Sequence, residues 1–189
     1  MYGPDGEKYI DLISGVSVSN TGHRHPKVVE AVKQQLDHYM HLMVYGEMIQ
    51  SPQVRYAERL TGLLPKCLDV CYFVNSGSEA IEGAIKLAKK FTGRSRIISF
   101  RNSYHGSTHG ALSIQGSELY KTAFRPLLPD TLQIGFNDFN ALDNIDDHTA
   151  CVVIEPVQAE AGVIYPATGF LEELQKRCSE KGALLIFDE

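Results

Sequence analysis

Cys151-Val152-Val153-Ile154 runs straight into Glu155-Pro156, and Ala183-Leu184-Leu185-Ile186-Phe187 runs straight into Asp188-Glu189. Between them, Phe170 to Lys181 has helical spacing and Gly182 follows as a stop. Four or five consecutive apolar residues read as a strand covered on both faces. Strand, helix and strand in that order form a parallel crossover unit. The expectation is an α/β fold, a mostly parallel sheet with helices on both faces. In such sheets ligands bind beyond the carboxyl ends of the strands, so the residues after each strand are the ones to inspect.

Working toward the N-terminus, the alternation continues. Arg96 to Phe100 is strand-like, Leu132 to Ile134 is a weaker strand, and Phe139 to Ile145 is a short helix. Ser76 to Phe91 reads as a helix with Ile81, Ala84, Ala88 and Phe91 inward, closed by Gly93. Val70 to Val74 reads as a buried strand, and Asn102 to Gly116 as a loop rich in glycine and serine. Pro52 to Leu64 is a helix stopped by Pro65. Pro26 opens another, carrying Val28, Val29, Val32, Leu36, Tyr39 and Met40. Lys8 to Leu12 reads as a short strand. The expected division is an N-terminal segment over 1–45 and a larger domain from 46 to 189.

Composition excludes several classes. Among 189 residues, 43% are hydrophobic and 22% charged, with a net charge of −5. That balance gives no footprint for nucleic acid and no basic face for a membrane surface. The start, Met1 to Gly6, has neither the basic nor the apolar part of a signal peptide, and no apolar run is long enough to span a bilayer. A cytoplasmic protein is the expectation. Cys67 and Cys71 are spaced by three residues, not two, and with Cys151 and Cys178 they read as packing thiols. No HExxH-like pair is present, so no metal site is expected.

Four strand ends carry polar residues. Asn75-Ser76-Gly77-Ser78-Glu79-Ala80 opens a helix, where free N–H groups and the dipole favour an anion. Ser76 with Glu79 is equally a capping box that needs no ligand. Arg101 to Gly110 includes Tyr104, His105 and Gly106, suited to a flat ring or to a packed surface loop. Glu155-Pro156-Val157-Gln158-Ala159-Glu160 places two carboxylates and an amide after one apolar strand, to be paired, solvated or left on a loop surface. Asp188 would hold a cation or a protonated ring nitrogen, or serve as a helix cap. Taken together, a phosphate cradle, a stacking aromatic and a carboxylate for a ring nitrogen are what pyridoxal 5'-phosphate requires.

Gly22-His23-Arg24-His25-Pro26, Asn75 to Ala80, Lys86-Leu87-Ala88, Tyr104-His105-Gly106, Glu155 to Gln158 and Phe187-Asp188-Glu189 together resemble the class III aminotransferases, over essentially the whole chain. The resemblance implies the large domain of the fold type I pyridoxal-phosphate enzymes and a homodimer. The activity it implies moves an amino group from a primary amine or amino acid to a 2-oxo acid. Another reaction on the same scaffold (an aminomutase or a decarboxylating transaminase), or a non-catalytic fragment, is the alternative. It implies that Ser76, Gly77 and Ser78 hold the phosphate, that Tyr104 stacks on the ring beside His105, and that Asp188 pairs with the ring nitrogen. Glu160 then lies near the substrate and Glu155 supports the site. The lysine that would carry the cofactor is expected beyond Glu189. No catalytic residue is therefore expected in this chain, which is expected to be a truncated portion, inactive alone. Two positions depart from relatives that bind amino acids. Ser107 stands where some have an arginine for a substrate carboxylate, and Val16 where the ornithine enzymes have a tyrosine. Both changes remove polar recognition, pointing to a less polar amine donor.

Overall fold

The computed structural model describes residues 1–43 and 47–189, which form two compact units, Met1–Cys71 and Tyr72–Glu189. The boundary expected at 45/46 lies outside the described residues.

The first unit holds a short turn of helix, α1 (Ser14–Ser17), and two longer helices, α2 (Pro26–His38) and α3 (Ser51–Thr61). Both long helices begin with proline in the first turn, as the sequence suggests. None of their residues is buried, and Val28, Val32 and Leu36 are each about half exposed. The strand expected at Lys8 to Leu12 does not form. Lys8 makes only an isolated bridge to Tyr2, and Asp11 instead caps a turn by accepting the N–H groups of Ile13 and Ser14.

The second unit is the α/β body. Its elements are α4 (Gly77–Thr92), β1 (Arg96–Phe100), α5 (His109–Ile114), α6 (Glu118–Lys121), β2 (Thr131–Ile134), β3 (Thr149–Ile154), α7 (Phe170–Lys181) and β4 (Leu184–Phe187). The four strands are all parallel, in the order β2-β1-β3-β4. Alternation along the strands sorts the core into two layers. Ile97, Cys151 and Val153 face one side, packed with Ile81, Ile85 and Ala88 of α4 and Ala111 and Ile114 of α5. Ile98, Phe100, Val152 and Ile154 face the other, with Phe170, Leu174 and Cys178 of α7. Phe100, Phe136 and Phe139 all meet the Phe170 ring edge-on, with centroids 5.4–5.9 Å away. The sheet is therefore covered on both faces.

Four further local readings differ from the structure. Residues 70–74 belong to no strand; Val70 is 85% exposed, and an apolar run of that length does not by itself fix a ladder partner. On α4, Ile81, Ile85 and Ala88 are the buried set, whereas Phe91 is exposed. Steps of three drift backward round a helix, so Phe91 stands about 80° from Ile81 at ~100° per residue. The stretch from Asn102 to Gly116 is not all loop, because it contains α5. Cys151 and Cys178 are buried as expected of packing thiols, but Cys67 is exposed. Among the described residues, no helix is long and apolar enough to cross a membrane.

Candidate functional site

The carboxyl ends of β1, β3 and β4 open onto one cavity of about 620 Å³, whose wall is completed by the first turn of α4. The volume lies within the range of small-molecule sites, about 300–1,000 Å³. Ser76, Gly77 and Ser78 line one part of it, Tyr104, His105 and Gly106 a second, and Glu155, Asp188 and Glu189 a third. Pro156, Val157 and Ala159 fill the remainder.

At the helix end, a variant of the capping box forms, with Glu79 reaching the residue before the N-cap. Ser76 Oγ accepts the Glu79 N–H at 3.2 Å, and Glu79 reaches back to the Asn75 N–H at 2.7 Å. That accounts for one of the three leading N–H groups of α4; those of Gly77 and Ser78 have no carbonyl one turn behind them. A side chain built on Gly77 would meet nothing within 4 Å, so the space at this turn is open. The cap and an anion cradle are thus compatible: the Ser76 hydroxyl accepts from Glu79 while its own proton stays available.

The loop after β1 sits close against this turn. Gly106 has φ +121°, and a Cβ there would lie 2.1 Å from Ser78 Oγ. Ser78 Oγ accepts the Ser107 N–H at 3.3 Å. Tyr104 is pinned by its backbone, whose N–H donates to Glu155 Oε2 at 3.1 Å. The residue is 42% exposed, and its hydroxyl lies 3.4 Å from Ser107 Oγ.

His105 and Asp188 form a pair across the site, Nδ1 to Oδ2 at 2.8 Å. The imidazole is wholly buried, and its Nε2 has no partner among the described residues. Burial pushes the Glu155 carboxyl above its ordinary value, against the opposing pull of the Tyr104 N–H and of His105. Gln158, the buried amide of the same strand end, donates to the Arg101 carbonyl at 2.9 Å and ties the end of β3 to that of β1.

Seven of the nine residues singled out from the sequence therefore meet at one cavity. Glu160 does not; it is exposed on the turn after Gln158, outside the lining. Val16 belongs to the first unit, 66% exposed with φ +65°. The sequence placed Gly106 only in a stretch suited to a flat ring, although a glycine between an aromatic-histidine pair and two hydroxyl residues is also a signal of close backbone approach.

A family model described as Aminotransferase class-III matches residues 1–189. An acetylornithine aminotransferase of Methanopyrus kandleri is 46% identical over 188 residues, 98% of this chain and 47% of that protein. One from Bacillus cereus is 42% identical, over 97% of this chain and 47% of its own. The chain thus spans about half the length of the curated relatives it matches. Among solved structures, the adenosylmethionine-8-amino-7-oxononanoate aminotransferase of Methanocaldococcus jannaschii superposes with a TM-score of 0.90 at 30% identity, covering 100% of this chain and 46% of that one. The ornithine aminotransferase of Toxoplasma gondii gives 0.84 at 29%, covering 98% and 46%. The fold agreement bears out the expected large-domain architecture of the fold type I enzymes. Because the family model matches this chain from Met1 to Glu189, the chain belongs to the class-III aminotransferase family.

Proposed function

We propose that this cavity holds pyridoxal 5'-phosphate and that the protein transfers an amino group from an amine or amino acid to a 2-oxo acid. One observation carries the reading: the cavity has an anion-favouring end and a cation-favouring end. The first turn of α4 offers N–H groups and the Ser76 and Ser78 hydroxyls, while Asp188 offers a carboxylate held by His105. A ligand with a phosphate at one end and a protonated ring nitrogen at the other satisfies both. The open space at Gly77 fits such a ligand as well.

When bound, the cofactor supplies an electron sink for the substrate carbon. The chain's own residues do the rest. Gly77 and Ser78 N–H groups and the two hydroxyls bind the phosphate. Tyr104, with its backbone fixed by Glu155, would stack on the cofactor ring. Asp188 keeps the proton on the ring nitrogen, since a nearby opposite charge favours the charged form. His105 orients Asp188 from a position closed to water. Glu155 supports the Tyr104 loop, and Glu160 is a proposed substrate neighbour. Among the described residues no lysine lines the cavity.

For the donor, the relatives named acetylornithine aminotransferase make acetylornithine the first compound to assay. Ser107 favours a second, an amine without a carboxylate, because no arginine or lysine lines the described cavity to pair with one. The full open reading frame containing residues 1–189 should be purified and supplied with pyridoxal phosphate. Each donor is then offered with pyruvate or 2-oxoglutarate and the new amino acid measured. Formation of alanine or glutamate supports the proposal. No amino acid from any donor, with cofactor bound, would favour an aminomutase on the same scaffold, and carbon dioxide released together with the new amino acid would mark a decarboxylating transaminase.

A further inference from the structure

α4 makes a second set of polar contacts that the ligand-binding groups do not account for. Glu82 follows Ser78 by one helical turn, on the same face. Its Oε1 accepts the Thr108 hydroxyl at 2.7 Å, the Gly110 N–H at 2.7 Å and the Ala111 N–H at 3.3 Å. Ser78 Oγ takes the Ser107 N–H just before them. Two side chains one turn apart on α4 thus collect four donors from residues 107–111.

The fit is tight at both points. A Cβ on Gly106 would lie 2.1 Å from Ser78 Oγ, and one on Gly110 would lie 2.2 Å from Glu82 Oε2. Two glycines four residues apart on the loop are pressed against two polar side chains four residues apart on the helix. Thr108 does not cap α5 itself. The Glu82 carboxylate instead satisfies two of the leading N–H groups of α5, those of Gly110 and Ala111.

We infer that Glu82 is a positioning residue for the cofactor site, locking the Tyr104–Thr108 loop to α4 so that the phosphate end and the ring end stand at a fixed spacing. The inference rests on the reading of the cavity proposed above. A rigid ligand that touches both ends binds best when they are already spaced to receive it; a loose loop must be ordered at the moment of binding. Inorganic phosphate touches only the helix end and has no use for the spacing.

The test uses the full open reading frame, comparing the parent with Glu82→Ala, Glu82→Gln and Thr108→Val. Apparent affinities for pyridoxal phosphate and for inorganic phosphate are measured, with the visible circular dichroism of bound cofactor and the thermal midpoint of the ligand-free protein. Glu82→Ala is expected to bind pyridoxal phosphate about tenfold more weakly, with reduced induced dichroism and unchanged phosphate affinity. Glu82→Gln, whose amide oxygen still accepts, should recover to within about threefold of the parent. Thr108→Val, which keeps the shape and removes one donor, should lose about threefold, and it decides the matter if Glu82→Ala does not fold. A lowered thermal midpoint with parental cofactor affinity and dichroism would mean a structural brace only and overturn the inference. A parent that binds no pyridoxal phosphate overturns the cavity reading and this inference together.

Discussion

Gly106→Ala should damage the protein far more than one methyl group suggests. The added Cβ would meet Ser78 Oγ at 2.1 Å, Ser78 Cβ at 2.9 Å and Ser78 Cα at 3.0 Å. Rotating the serine relieves only the first contact, and it breaks the bond from the Ser107 N–H. The backbone must therefore move, and φ +121° is itself unfavourable for any side chain. Backbone strain costs about 1–3 kcal/mol, overpacking about 1–3, and the lost hydrogen bond about 1. These overlap as the loop relaxes, so a loss of about 3–5 kcal/mol is expected. Gly77→Ala is the control, because nothing lies within 4 Å of its Cβ. Its stability should stay within about 0.5 kcal/mol of the parent. Urea unfolding of both variants without ligand reads the difference. A Gly106→Ala midpoint matching that of Gly77→Ala would refute the claim that the loop is pressed against α4.

Two further predictions concern titrating groups. Glu155 is held above its ordinary carboxyl value by burial, so between that value and the raised one the folded protein binds more protons than the unfolded chain. Its contribution to stability therefore falls as pH rises through that window, the reverse of a salt-bridged carboxylate. Glu155→Gln, which still accepts the Tyr104 N–H, should flatten this slope and cost nothing at pH 7; a variant that keeps the parental slope contradicts the assignment. Burial pushes the thiols of Cys151 and Cys178 up to about 12. At pH 8 their thiolate fraction is then ~10⁻⁴. Alkylation followed by peptide mass mapping should label exposed Cys67 first and these two only on unfolding. Rapid native labelling of Cys151 would count against the two-layer core.

How much of this was legible in the sequence depended on how local the cause was. β3, α7 and β4 could be read because unbroken apolar runs, a helical period and Gly182 all act within a few residues. The capping box at Ser76 and Glu79 was legible for the same reason. α5 was not, because Thr108 to Ile114 begins with turn-forming residues and is held by Glu82 from 28 residues away in the chain. Gly106 had a visible motif and no visible reason, since the reason is the approach of Ser78. Val70 to Val74 carried the composition of a strand without a partner strand beside it in the sheet order. Val16 came only from resemblance and Glu160 from its place after an apolar strand, with its role implied by resemblance; neither lines the described cavity.

The most direct test of the central claim is a crystal structure of the full open reading frame grown with pyridoxal phosphate. The account predicts phosphate oxygens within hydrogen-bond reach of Gly77 and Ser78 N–H groups, with the ring nitrogen facing Asp188. A cofactor bound elsewhere, or in this cavity with its ring nitrogen turned away from Asp188, would contradict it.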